Sequence, residues 1–183
     1  MDLHQALVLT HILATAGLFA AIGAEHLALQ RLTSATDAPD ARYWLAAYRN
    51  PAGGTGHLAM VVLLTSGVAM GFTRWGFEGW MLAALIGVVI LMVAGGILSA
   101  GPIRHLAISL GEPWVAAAPA VRNATPLLRK WSRTRAGVLV GILAVMALKV
   151  SFVISLVTIL FAGVMGAALP QRNEISYTGE QAP

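Results

Sequence analysis

Three histidines, His4, His11 and His26, fall along one side of an otherwise apolar segment. At about 100° per residue they lie within roughly 60° of one another on a helix, and Thr15 shares the strip. Residues 5–29 are dominated by Leu, Val, Ile, Ala and Phe, a run long enough to cross a bilayer core of about 30 Å. Ionisable groups at that depth are costly, so they face a partner helix, water or a ligand. The chemistry such imidazoles offer is ligation of a metal or of haem.

Composition narrows the setting. Apolar residues make up 57% of the 183 and charged residues only 11%, under half the share of about 25% found in soluble domains. Mean hydropathy is +0.74. The basic pI near 10.1 does not point to nucleic acid, because the basic residues sit mostly in two loops between apolar runs. There is no aromatic–basic platform and no glycine-rich phosphate loop. With no cysteine in the chain, disulfides, thiolate metal sites, cysteine-ligated iron–sulfur clusters and c-type haem attachment are excluded. The start, Met1-Asp2-Leu3, lacks a basic residue and the apolar stretch is too long for a secretory h-region, so it reads as a retained first span.

Four spans follow from the apolar runs, at about 4–30, 57–72, 80–100 and 136–169. Between the first two, Ala41 to Tyr48 forms a short interfacial helix with Tyr43, Trp44 and Tyr48 at headgroup level. The third span continues past Gly101-Pro102 to Leu110, and Gly95-Gly96 suits close helix contact. Residues 111–135 read as polar and broken by Pro113, Pro119 and Pro126, and residues 171–183 as a disordered tail. The loops after spans one and three hold nine basic residues, against Arg74 and Arg172 on the other side. The positive-inside rule then puts those loops in the cytoplasm and both termini in the periplasm of a bacterial inner membrane.

On this layout the histidines sort into an outer pair, His4 and His11, and an inner trio, His26, His57 and His105, which Glu25 joins. The trio comes from three helices, as a bundle-core metal or haem b site requires; the plainer reading is three interfacial histidines. His4 and His11 are two turns apart, roughly 10 Å along the axis, and cannot share one ion on an unbroken helix. Met70, Met81 and Met165 fall near the outer ends of their spans, and thioether with imidazole suits Cu(I), although methionine is also an ordinary core filler. Lys149 falls near mid-membrane in a span of 136–169, where it either snorkels or pairs with an acid, a haem propionate or carbonyls. No HExxH, GxSxG or pair of intramembrane acids is present.

Short motifs carry a resemblance. Leu9-Thr10-His11-Ile12-Leu13-Ala14, Leu64-Thr65-Ser66-Gly67-Val68-Ala69-Met70, Gly101-Pro102-Ile103-Arg104 and Met146-Ala147-Leu148-Lys149 resemble the four helices of small bacterial proteins of the copper-resistance-D-like superfamily. The match covers about residues 5–152, in a branch of four-helix proteins without assigned activity. The resemblance implies copper handling or, as in a similar family, haem-linked protoporphyrinogen oxidation, with His11 and Lys149 as key positions. Two departures stand out: Ala16-Gly17-Leu18-Phe19 lacks a tryptophan, and Val150 stands where proline is expected.

The expectation is therefore an all-α polytopic membrane protein, a four-helix transmembrane bundle in contact with the lipid bilayer. Its function is to handle haem b or copper through membrane histidines, in electron transfer or metal passage. The alternative is a non-catalytic accessory subunit of a larger membrane complex. The cofactor-binding set is His11, His26, His57, His105 and Lys149; the metal set is His4, His11, Met70 and Met81. No catalytic residue is assigned.

Overall fold

A long apolar helix must be started by a group that satisfies its free N–H donors, and here Asp2 does this. Its carboxylate accepts from the Gln5 backbone N–H at 2.7 Å while the Gln5 side chain accepts from the Asp2 N–H at 3.1 Å, closing a reciprocal capping box. From this cap α1 runs over Leu3–Thr33, about 46 Å at 1.5 Å per residue. The computed structural model describes residues 2–169. The remaining elements are α2 (Ala38–Gly53), α3 (Thr55–Met70) with a π-helical turn over Gly71–Trp75, α4 (Gly79–Ser109), α5 (Trp114–Leu148) and α6 (Phe152–Ala168). The chain is an all-α bundle, and no strand occurs among the described residues. Four helical stretches among them, Leu3–Thr33, Ala38–Trp75, Gly79–Ser109 and Trp114–Leu148, are long and apolar enough to cross a membrane.

Two cores stack along the bundle. The first gathers Leu18, Leu63, Trp80, Leu91, Leu139 and Ile159, from α1, α3, α4, α5 and α6. Its outside bears exposed Ile12, Leu13, Val89, Phe161 and Val164, the surface expected of helices facing lipid. The second gathers Leu29, Leu32, Leu45, Tyr48, Leu106 and Leu128. It holds together the ends of α1 and α4, the first half of α5 and all of α2.

Several expectations are corrected. The run 136–169 is not one crossing. Helix α5 stops at Leu148, Lys149 takes a left-handed conformation (φ 48°), and α6 returns along α5. The return is possible because glycines form the seam: a Cβ on Gly137 would lie 2.2 Å from the Ala162 carbonyl oxygen, and one on Gly166 would lie 2.4 Å from that of Arg133. Backbones this close exclude any side chain, as small-residue membrane contacts do. Nor is 111–135 a broken loop, since α5 passes through Pro119 and Pro126 without ending. Both rings are exposed while Ala117, Val121, Thr125 and Leu128 bury the opposite face, so packing offsets the lost backbone bonds. Tyr48 does not face a headgroup layer with its ring but is 1% exposed, packed into the bundle. The helix that carries it extends over Ala38–Gly53, where Gly54 separates it from α3. Helix α4 runs through Gly101-Pro102 to Ser109. The tail at 171–183 lies outside the described residues.

The hairpin changes the threading. The Leu169 carbonyl accepts from Arg133 Nη1 at 3.0 Å, whereas His4 packs against Trp75 at the Lys149 end. Leu169 is therefore carried back to the middle of α5, away from the end of the bundle that bears His4 and Lys149. Reporters fused at Ala120 and directly after Leu169 are expected to read the same side of the membrane, with one ahead of Asp2 reading the other. Opposite readings at Ala120 and Leu169 would restore the single crossing.

Candidate functional site

In the first core an imidazole, a serine hydroxyl and several thioethers come together among apolar side chains. His11 is 9% exposed and its Nδ1 lies 2.9 Å from Ser66 Oγ on α3. The Ser66 hydroxyl donates to the Val62 carbonyl one turn back at 2.6 Å, the usual bond of a helical serine. With its proton directed to Val62, the Ser66 oxygen is free to accept from His11 Nδ1–H in the tautomer that leaves the Nε2 lone pair available. Such an anchoring bond on the far nitrogen is what orients a metal-binding histidine. Gly67 makes the approach possible, because a Cβ there would stand 3.3 Å from His11 Cε1. Thr15 Oγ1 donates to the His11 carbonyl at 2.8 Å and closes the strip that the sequence suggested.

His11, Met70, Met81 and Met146 line one narrow crevice, with Trp75 and Trp80 at its end. Met70 and Met81 are 1% and 5% exposed. The Met81 Sδ and Cε lie against Gly71, next in sequence to Met70, where a Cβ would meet them at 3.2 and 3.1 Å. The free volume is about 40 Å³, enough for an ion or a water and far too little for a porphyrin. Met165 is exposed and takes no part.

The end of the crevice is aromatic and cationic. Lys149 Nζ sits 5.5 Å from the Trp75 ring centroid and 5.8 Å from that of Trp80, within cation–π range. Trp80 Nε1 donates to Glu78 Oε2 at 2.6 Å. His4 meets the Trp75 ring edge-on at 5.5 Å, and its Nδ1 is buried without a hydrogen-bond partner among the described residues. Lys149 is thus exposed at the α5–α6 corner and not at mid-membrane. It was misplaced because the corner, Lys149-Val150-Ser151, contains neither glycine nor proline to mark it.

The inner trio does not assemble. His26 is half-buried, His57 and His105 are exposed, and none of them lines the His11 crevice or a second groove beside Arg42. Among the described residues no group of three or more His, Cys, Asp or Glu could hold a metal ion. Any metal at His11 would therefore depend on thioether ligands.

Beneath the crevice lies a feature that sequence reasoning missed. Glu25 of α1 and Arg135 of α5, 2% and 7% exposed, form a salt bridge through Oε2 and Nη2, with Nη1 3.5 Å from Oε1. The Tyr48 phenol meets both Arg135 and Ser99, so four helices converge on one buried pair. Gly95 serves this pair and not a helix seam: its missing Cβ would lie 3.1 Å from Arg135 Nη1. Glu25 carries a signal, since a lone acid in an apolar span requires a cation, but Arg135 reads in the sequence as one of the loop charges. Comparison with family models, with curated proteins and with solved structures finds no match for this chain.

Proposed function

We propose that the chain is a multi-pass protein of a bacterial inner membrane that handles a soft monovalent metal, Cu(I), at the His11 crevice. The observation that carries this reading is the gathering of His11, Met70 and Met81 around one apolar crevice, with the imidazole bonded to Ser66. Imidazole and thioether are ligands that select Cu(I) over hard cations. The apolar surroundings disfavour a dication, whose charge would be left uncompensated. His11 Nε2, Met70 Sδ and Met81 Sδ would hold the ion, which would supply one-electron chemistry or simply be passed on. Met146 offers a further thioether. Ser66 holds the imidazole in place, and the flanking Leu63, Val88 and Ile142 keep water out. The resemblance of the His11 and Lys149 segments to copper-resistance-D-like proteins supports the same reading. Haem b is less favoured, because the three inner histidines line neither the His11 crevice nor the groove beside Arg42. The end bearing Asp2 is assigned to the periplasm and the arginine-rich end to the cytoplasm.

Anaerobic Cu(I) titration against a chromophoric chelator, in mild detergent, tests the proposal. About one equivalent per chain is expected to bind, falling at least tenfold in affinity in His11→Ala and in Met70→Leu/Met81→Leu, as loss of a ligand to a soft ion requires. Ser66→Ala is expected to weaken binding by about tenfold through the freed imidazole. A Soret band would turn the assignment to haem. A protein without metal or chromophore that copurifies with a larger assembly would make it an accessory subunit.

A further inference from the structure

A second groove lies in the arginine-rich half of the molecule, between α2 and the end of α4. Arg42, Leu45, Ala46 and Arg49 stand at i, i+3, i+4 and i+7, so they share one face of α2. Opposite them stand Ala107, Leu110 and Gly111. Leu45 and Leu110, 4% and 1% exposed, form an apolar floor. Ala46, Ala107 and Gly111 have no bulk to fill the space above it.

The two arginines are not equivalent. Arg42 donates from Nε and Nη2 to the Leu110 carbonyl at 2.8 and 2.6 Å, which caps α4 and fixes its guanidinium. Arg49, about 10 Å further along α2, makes no hydrogen bond or ion pair with any described residue. No carboxylate lines the groove. Next in sequence to the groove residues Arg42 and Ala107, Tyr43 and Ile108 are 64% and 66% exposed, and Tyr43 packs edge-on against Trp44 at 5.0 Å between ring centroids. An exposed tyrosine on α2 and an exposed isoleucine on α4 fit headgroup depth, where one side is apolar and the other wet.

We propose that this groove holds the phosphodiester headgroup of an anionic phospholipid. Arg49 contacts the phosphate, Arg42 adds fixed positive charge, and the Leu45–Leu110 floor lies beneath the glycerol backbone. The proposal is independent of the metal reading. Basic clefts between helices on the cytoplasmic side take anionic lipid headgroups by the same combination of charge and depth. A free anion in water would gain from Arg49 but not from the apolar Leu45–Leu110 floor, which separates the two sources of phosphate.

Thermal unfolding of the full chain in delipidated detergent micelles tests the site, with phosphatidylglycerol, phosphatidylcholine or inorganic phosphate added in turn. Phosphatidylglycerol is expected to raise Tm and the other two to leave it unchanged. Arg49→Gln is expected to weaken the phosphatidylglycerol response about fivefold, the share of one arginine near an anionic surface. Arg49→Lys keeps most of the response, and Arg122→Gln, exposed on α5 outside the groove, keeps all of it. Arg49 is exposed, so its variants are expected to melt like the parent without lipid. Equal stabilisation by phosphatidylcholine would overturn the proposal. So would inorganic phosphate matching the lipid, which would make the groove a soluble-anion site, or an equal loss in Arg122→Gln, which would reduce it to diffuse charge.

Discussion

Arg135→Ala is expected to lower stability by about 3–5 kcal/mol, because it leaves the Glu25 carboxylate buried without a counter-charge. Folded proteins hold about 5–15 kcal/mol in total, so the variant is expected to be poorly folded in detergent. Glu25→Ala, which strands the guanidinium instead, carries a similar cost. The pair itself is another matter. Taking both charges out of water is expensive, and an apolar replacement of similar volume is often neutral or better. Glu25→Leu combined with Arg135→Met is therefore expected to recover most of the loss. Melting of the two single variants and of the double, in one detergent, closes the cycle. A double variant as unstable as the sum of the singles would show that the charges do not act on each other. Arg135→Lys is expected to remain damaged, because a point charge cannot reproduce the guanidinium fork that meets the carboxylate and the Tyr48 phenol.

Gly137→Ala is expected to cost about 3 kcal/mol, the upper range for overpacking a tight interior. Its added methyl would come within 2.2 Å of the Ala162 carbonyl oxygen. That atom is backbone, so relief requires α6 to move away from α5 as a body. Separation would also disturb the neighbouring contacts of Gly141 with Ile159 and of Gly163 with Val138. Gly166→Ala, facing the Arg133 carbonyl, should behave alike. The contrast is supplied by Gly23 and Gly96, also within helices, where an added Cβ meets nothing within 4 Å. There the change to alanine should be neutral or gain about 0.5–1 kcal/mol, since glycine is the poorer helix former. Thermal melts of the four variants decide the matter. If Gly137→Ala melts with Gly96→Ala, α6 does not pack on α5 along this seam.

Both effects rest on residues whose chemical type was legible but whose partners were not. Glu25 stands out in any reading of the chain as an acid within an apolar run, and Arg135 as the last of a basic cluster. That they meet depends on how α1 and α5 lie side by side, which no local pattern states. His11 was singled out correctly as a buried histidine, and Met70 and Met81 do share its crevice, because depth along a span can be counted in residues. His26, His57 and His105 fall together by the same count, yet they form no three-ligand group among the described residues. Depth locates a residue along the bundle axis, whereas rotation about each helix decides whether neighbours at one depth face each other. The α5–α6 corner was missed for a different reason. A left-handed turn at a lysine, supported by helix pairing on both sides, leaves no glycine or proline in the sequence.

The amino-acid sequence by itself determines that this protein is helical and apolar, with nine of its twelve basic residues in two stretches, 31–49 and 104–135. Those properties follow from composition and spacing, because a chain crossing lipid must satisfy its backbone within each segment. The tertiary structure alone decides that α5 and α6 fold back on a glycine seam, that Glu25 finds Arg135, and that one imidazole and three thioethers share a crevice. Each of these is a long-range approach between separate helices. It is set by side-chain volume and helix rotation, which sum over the whole bundle and are written in no single segment.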